Sequence, residues 1–121
     1  MKYMLLIYHD EKGWDTITEA ERQQIYGEYR NLSERLASRG QLLAGSELQP
    51  IATATSVRVR DDKELITDGP FAETHEQLGG YYLIEVNNLD EATSIAAQIP
   101  SARTGTVEVR PLAEMSAEAT A

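Results

Sequence analysis

The segment 67–86 carries the side chains of this sequence that are best suited to chemistry. Its first part, residues 68–76, holds three carboxylates and one of the two histidines, namely Asp68, Glu73, His75 and Glu76. Histidine changes charge near neutral pH, and burial can raise the pKa of a carboxyl group into the same range. A carboxylate and a histidine held together could therefore exchange protons with a substrate. We predict that Asp68 moves the proton and that His75 positions or stabilises an anion.

Each of these residues also has a structural interpretation. Asp68 precedes Gly69 and Pro70, and an aspartate at a turn commonly accepts hydrogen bonds from the backbone amides of its own turn. His75 would then be a solvated loop residue. Both interpretations stay open, because the sequence does not show whether Asp68 faces a closed cavity or water.

A metal site is a third possibility for the same segment. Histidine and carboxylate side chains suit Mn, Fe or Zn, yet the spacing of these side chains matches no ligand motif. The sequence has no cysteine, which excludes thiolate ligands. It also has no phosphate-binding glycine loop, no nucleophile elbow and no dinucleotide fingerprint. We predict neither a metal nor a cofactor.

The turn after Asp68 is the predicted centre of a small ligand-binding cleft. Pro70 donates no backbone hydrogen bond, so a strand cannot continue through it. Phe71 is the one phenylalanine of the chain and should anchor the loop to an apolar surface. The last residues of the first predicted strand reach this cleft if the strand ends align. The predicted ligand-binding residues are Gly69, Pro70, Phe71, Glu73, Tyr8 and His9.

Four stretches of the sequence resemble one known family. Residues 68–74 (Asp-Gly-Pro-Phe-Ala-Glu-Thr) and 76–82 (Glu-Gln-Leu-Gly-Gly-Tyr-Tyr) look like the signature of the YCII-related proteins that carry a DGPF motif. Residues 3–8 and 107–111 extend the likeness over almost the whole chain. The resemblance implies a ferredoxin-like α+β fold that dimerises into an α/β barrel, whereas the activity of the family is poorly defined.

Two departures from the family limit what the resemblance implies. Members usually have lysine where this chain has His75, and a positive or hydrogen-bond-donating group common to both favours anion binding or a salt bridge over base catalysis. The YCII branch has a proposed catalytic dyad of a histidine in its first helix and an aspartate. The predicted first helix here contains no histidine. The resemblance therefore assigns no such dyad.

Composition indicates a single folded domain. The chain has 121 residues, of which 41% are hydrophobic and 26% are charged. Its net charge of -9 opposes binding to DNA, RNA or an acidic membrane surface. No targeting signal is visible, and we predict a cytoplasmic protein. We predict one domain over residues 1–112 and a fraying tail over 113–121.

Hydrophobic periodicity predicts the elements around the chemical segment. Residues 2–8 and 81–86 are apolar with almost no alternation, which is typical of central strands. Thr18 and Glu21 have capping-box spacing, so a first helix should begin there and end before Gly40. The other predicted elements are a short strand over 42–44, a hairpin over 55–60 and 64–67, a helix capped by Asn88, and a strand over 106–110.

Four apolar residues carry more specific expectations. Val57 and Val59 alternate with polar residues, which predicts a half-buried strand. Leu89 should begin the buried face of the second helix. Trp14 lies in a predicted loop, where it either packs beneath the loop or lines a ligand pocket.

The predicted order is strand, helix, strand, hairpin, strand, helix, strand. This is a ferredoxin-like split βαβ pattern with an extra hairpin strand, in which an antiparallel sheet has two helices on one face. The other face would be bare, although the two central strands have no polar side to offer water. Such an apolar patch exceeds what monomers usually expose. We therefore predict a face-to-face homodimer.

Two functions are open for this dimer. The first is a cofactor-free enzyme that applies acid/base chemistry to a small organic molecule beside Asp68. The second is a non-catalytic module that binds a small ligand or regulates. The resemblance supports the second, because genes of DGPF-motif proteins often lie beside those of extracytoplasmic-function sigma factors. The ligand itself is not identified by the sequence.

Overall fold

A computed structural model describes residues 1–113, and within this range the chain forms six strands and three helices. Residues 114–121 of the predicted tail lie outside the described residues. The strands are β1 (Lys2–His9), β2 (Leu42–Glu47), β3 (Thr55–Arg60), β4 (Lys63–Asp68), β5 (Gln77–Glu85) and β6 (Thr106–Pro111), and the helices are α1 (Glu11–Thr16), α2 (Glu19–Ser38) and α3 (Leu89–Ala96).

The strands form a main sheet and a separate hairpin. The main sheet is antiparallel in the order β2-β5-β1-β6, so β1 and β5 are central as predicted. β3 and β4 pair only with each other among the described strands. Asp61 and Asp62 join them with positive φ angles of 51° and 61°, as a two-residue hairpin turn requires. This α+β arrangement is compatible with the predicted ferredoxin-like fold.

Helix α2 begins and ends where its capping residues predict. The Thr18 hydroxyl accepts a hydrogen bond from the Glu21 amide at 3.1 Å. Gly40 adopts a left-handed conformation with a φ of 69°, and its amide donates to the Ala37 carbonyl at 3.0 Å. The buried residues of α2, Leu32 and Leu36, lie in its C-terminal half.

The hydrophobic core lies between the main sheet and helices α2 and α3. Side chains of β1 alternate, with Leu5 fully buried and Leu6 half-buried on the opposite face. The buried residues of both helices belong to one cluster with those of β1 and β5, so both helices cover the same face. The buried residues of this core are Tyr3, Leu5, Ile7, Tyr82, Ile84, Val86, Leu32, Leu36, Ala92, Ile95, Ala96 and Ile99.

Several local predictions were wrong. The segment around Trp14 is helical, because the Asp10 carboxylate accepts a hydrogen bond from the Lys12 amide at 3.0 Å and starts α1. Val57 and Val59 are each 60% exposed, because their hairpin stands apart from the main sheet. Leu89 is 52% exposed at the first position of α3. β2 is also longer than predicted and runs through Gly45 to Glu47.

A β-bulge lies near the beginning of β5. Ile7 pairs with Gly80 and Tyr8 with Leu78, so Gly79 is the extra residue. A Cβ atom on Gly79 would collide with the His9 imidazole, and one on Gly80 would lie 2.8 Å from a β2 backbone oxygen. Glycine at these two positions therefore allows both the bulge and the close approach of β2 to β5.

Within the described range, no helix has both the length and the apolar character needed to cross a bilayer. α2 is long enough, with 20 residues, but charged side chains cover its outer face.

Candidate functional site

A cleft of about 690 Å³ lies between α1, α2 and the β2–β5 edge of the main sheet. Pro100, Ser101 and Thr104 also line it. Its volume is within the roughly 300–1,000 Å³ typical of sites for small organic molecules. Aromatic and acidic side chains are prominent in its lining.

One wall of the cleft consists of three packed rings. The centroids of His9 and Trp14 are 6.4 Å apart at an interplanar angle of 73°, and those of Trp14 and Tyr26 are 5.5 Å apart at 78°. Both pairs have the favourable edge-to-face geometry. The Arg22 guanidinium lies over the Trp14 ring, 5.8 Å from its centroid, and donates to the Trp14 carbonyl at 3.1 Å. Trp14 is therefore half-buried by its own neighbours and also lines the cleft.

Two tyrosine–serine pairs lie deeper in the cleft. The hydroxyls of Tyr29 and Ser101 are 2.7 Å apart, and those of Tyr82 and Ser33 are 2.8 Å apart. Burial raises the pKa of both tyrosine hydroxyls, although their serine partners oppose the shift. Both tyrosines are therefore neutral at physiological pH and present fixed hydroxyl dipoles inside the cleft.

Carboxylates give the cleft a negative charge. Glu47 accepts a hydrogen bond from the Tyr26 hydroxyl at 3.4 Å, and the pKa of Tyr26 is raised first by burial and next by the charge of Glu47. Glu11 accepts a hydrogen bond from the Ile51 amide at 3.0 Å. The carboxylates that line the cleft are Asp10, Glu11, Asp15, Glu21 and Glu47.

The predicted catalytic pair lies outside this cleft. Asp68, Glu73 and His75 are exposed, and within the described chain no hydrogen bond or ion pair joins Asp68 to His75. Phe71 is 79% exposed, so its predicted anchoring contact is not made within residues 1–113. The catalytic roles of Asp68 and His75 stay predictions.

The turn after β4 is held by the hairpin itself. Gly69 has a φ of 97°, and its amide donates to the Ala54 carbonyl at 2.7 Å. Its carbonyl accepts a hydrogen bond from the Ser56 hydroxyl at 2.8 Å. Pro70 follows as an exposed residue.

In this part of the chain, and among the described residues generally, no three histidine or acidic side chains come together as a metal ion would require.

The two predicted ligand-binding residues at the end of β1 point to opposite faces. His9 lines the cleft, where the bulge at Gly79 makes room for its ring. Tyr8 lies on the other face of the sheet, and its hydroxyl donates to Glu108 at 3.4 Å. The structure therefore places His9 with the aromatic wall and separates it from Tyr8 and from the Asp68 turn.

Comparison with known proteins agrees with the resemblance seen in the sequence. A family model described as the YCII-related domain matches residues 1–116. The chain belongs to the YCII-related family. It is similar to an uncharacterized protein of Rhizobium meliloti (strain 1021), with 36% identity over 115 residues that cover 93% of this chain and 93% of that protein.

Most of the cleft of this YCII-related protein consists of residues that sequence reasoning missed. Three of the six tyrosines of the chain bring their side chains to it, namely Tyr26, Tyr29 and Tyr82. The side chain of Tyr81 lies on the other face of the sheet, beside Leu6. Ser33 follows Tyr29 by one helical turn and places a second hydroxyl beside an otherwise apolar stripe. The sequence signals available for this cleft were closely spaced tyrosines and a polar residue beside the apolar stripe of α2. Glu47 gave no such signal, because it follows a short strand and resembles any exposed glutamate.

Proposed function

We propose that this protein binds a small organic molecule in the cleft between α1, α2 and the β2–β5 edge. The observation that carries the proposal is a preformed cavity of about 690 Å³ with aromatic walls and a few fixed polar groups. Sites for small molecules generally combine an apolar lining with a small number of placed hydrogen-bonding groups. The two tyrosine–serine pairs supply those groups here.

Acid/base catalysis is the second candidate function, and His9 favours it. Histidine is the residue type best suited to proton transfer near neutral pH, and the His9 imidazole lines the cleft beside Trp14. The earlier hypothesis, in which Asp68 and His75 act beside the hairpin turn, and the regulatory alternative linked to sigma-factor-dependent transcription remain separate predictions.

Replacing a cleft tyrosine tests the binding proposal. The protein is titrated with fragment-sized organic molecules of positive, negative and zero charge, and backbone amide resonances report where each one binds. We expect shifts at cleft residues for at least one probe, and we expect Tyr26→Ala to weaken that binding about tenfold, since a ring of the wall is lost.

Tyr8→Ala is the matched control for this test. It removes the same side chain from the opposite face of the sheet, so it should leave probe binding unchanged. Shifts confined to residues outside the cleft, or equal losses in both variants, would contradict the proposal.

We also propose that two copies of the chain pair through the open face of the main sheet. Met4, Leu6 and Leu83 lie on this face, half-buried only by their own neighbours. Helices α2 and α3 both pack on the other face. An apolar sheet face of this kind is usually covered in soluble proteins, and a second copy of the same face would cover it.

A charge placed on the open face tests this pairing. We expect the parent protein to sediment at twice 13.5 kDa at micromolar concentration and Leu83→Glu to sediment as a single subunit, because a buried unpaired carboxylate strongly disfavours the interface. Leu89→Glu, on the exposed start of α3, should leave the dimer intact. A parent chain that sediments as a single subunit would overturn the pairing.

A further inference from the structure

We infer that the cleft binds an organic cation, that is, a protonated amine or a quaternary ammonium group on a small apolar body. This inference rests on the proposed function, because it names the chemical class of the molecule that the cleft would hold. It is carried by the cavity, by the rings that form its walls and by the charge of the side chains around them.

The charged side chains that line the cleft are almost all acidic. Five carboxylates line it, and among the described residues its one basic side chain is His9. None of these five carboxylates lies within 4.0 Å of a basic group in the described chain. The nearby Arg22 is instead paired with Glu19 at 3.6 Å. A concave surface of one sign concentrates molecules of the opposite charge and repels those of its own.

A corner of aromatic rings lies directly beside one of these carboxylates. The rings of Trp14 and Tyr26 lie nearly at right angles, and Glu47 accepts a hydrogen bond from the Tyr26 hydroxyl. Aromatic faces attract cations, and sites for ammonium groups are commonly built from two or more such rings. The chain already places a cation, the Arg22 guanidinium, over the Trp14 ring. A ligand ammonium group in this corner would meet aromatic rings and a carboxylate together.

An anionic ligand has fewer partners in the same space. Its hydrogen-bond donors would be the Trp14 indole, the His9 imidazole and the hydroxyl of each tyrosine–serine pair that is not already donating to its partner. It would also face five carboxylates and would gain no lysine or arginine from the described lining. The geometry therefore favours a cation over both a neutral molecule and an anion of the same size.

Three probes of nearly equal size test the inference: 2-phenylethylamine, which is protonated at neutral pH, 2-phenylethanol and phenylacetate. Binding is followed by the fluorescence of Trp14, the one tryptophan of the chain, and by amide resonances. We expect the amine to bind at least about tenfold more tightly than the alcohol, and phenylacetate to bind most weakly. Added salt should weaken binding of the amine and leave binding of the alcohol nearly unchanged.

A charge-neutralising variant separates the local site from the overall charge of the protein. Glu47→Gln should weaken amine binding about fivefold to tenfold and leave alcohol binding unchanged. Glu64→Gln removes the same charge from the exposed hairpin and should change neither. Equal effects of the two variants on amine binding would overturn the inference.

The outcomes also distinguish this inference from the proposed function. If the alcohol or phenylacetate binds in the cleft as tightly as the amine, the cation inference fails and the proposed function stands. If none of the three probes shifts the resonances of the cleft residues, both fail.

Discussion

Leu5→Ala should lower the free energy of unfolding by about 3 kcal/mol, within the roughly 2–5 kcal/mol seen when a core leucine is truncated. Leu5 is 0% exposed and lies on the central strand between the main sheet and the helices. Its neighbours are held by strand pairing on both sides of β1, so they cannot move in to fill the space. Urea unfolding followed by far-UV circular dichroism measures the loss.

Leu6→Ala is the matched control, because the same side chain is removed from the adjacent position on the other face. Leu6 is half-buried, and its truncation should cost about 1 kcal/mol in a single subunit. If the open face pairs with a second copy, this cost should rise with protein concentration, whereas the cost at Leu5 should not. Equal losses of unfolding free energy in Leu5→Ala and Leu6→Ala at low protein concentration would mean that the core does not lie on the helix-covered face of the sheet.

Gly105→Ala should lower the free energy of unfolding by about 2 kcal/mol, because the new methyl group has no space. A Cβ atom at Gly105 would collide with the Tyr8 carbonyl and lie 3.2 Å from both the His9 Cα and the Ser101 carbonyl. All three neighbours are backbone atoms, so relief requires a shift of β1 or of the Pro100–Arg103 turn. The same urea titration measures the effect.

Gly27→Ala should change stability in the opposite direction. Gly27 lies inside α2, and a Cβ atom there would meet no atom within 4 Å apart from its chain neighbours and the backbone of its own helix. Alanine in a helix interior is favoured over glycine by about 1 kcal/mol, so this variant should unfold at a higher urea concentration. A loss of stability at Gly27, or none at Gly105, would contradict the packing described above.

The fold could be predicted from the sequence where local signals and burial agree. Thr18 and Gly40 fixed the ends of α2 because a capping hydroxyl and a left-handed glycine act within a few residues of where they lie. The apolar runs of β1 and β5 identified the central strands because both of their faces carry apolar side chains. The prediction of a half-buried strand at Val57 and Val59 was wrong, because alternation shows only that one side of a strand is apolar. It does not show whether another element covers that side.

The candidate site was harder to predict, because it depends on which distant elements meet. His9 was proposed for a cleft beside Asp68, and the structure places it instead beside Trp14, because the bulge at Gly79 makes room for its ring. Trp14 itself lies on a helix of six residues. A helix this short has almost no periodicity to detect. The conspicuous run after Asp68 drew attention by its unusual composition, whereas the cleft is built from ordinary tyrosines, serines and glutamates.

The pairing of β1 has a consequence for the order of events during synthesis. The ribosome makes this strand before both of its hydrogen-bonding neighbours, Gln77–Glu85 and Thr106–Pro111, which come from later parts of the chain. Its apolar residues therefore have no strand partners while most of the polypeptide is translated. Folding dominated by such distant contacts is slow compared with that of local helical bundles. Nascent chains of this protein would need protection from aggregation until β6 has emerged.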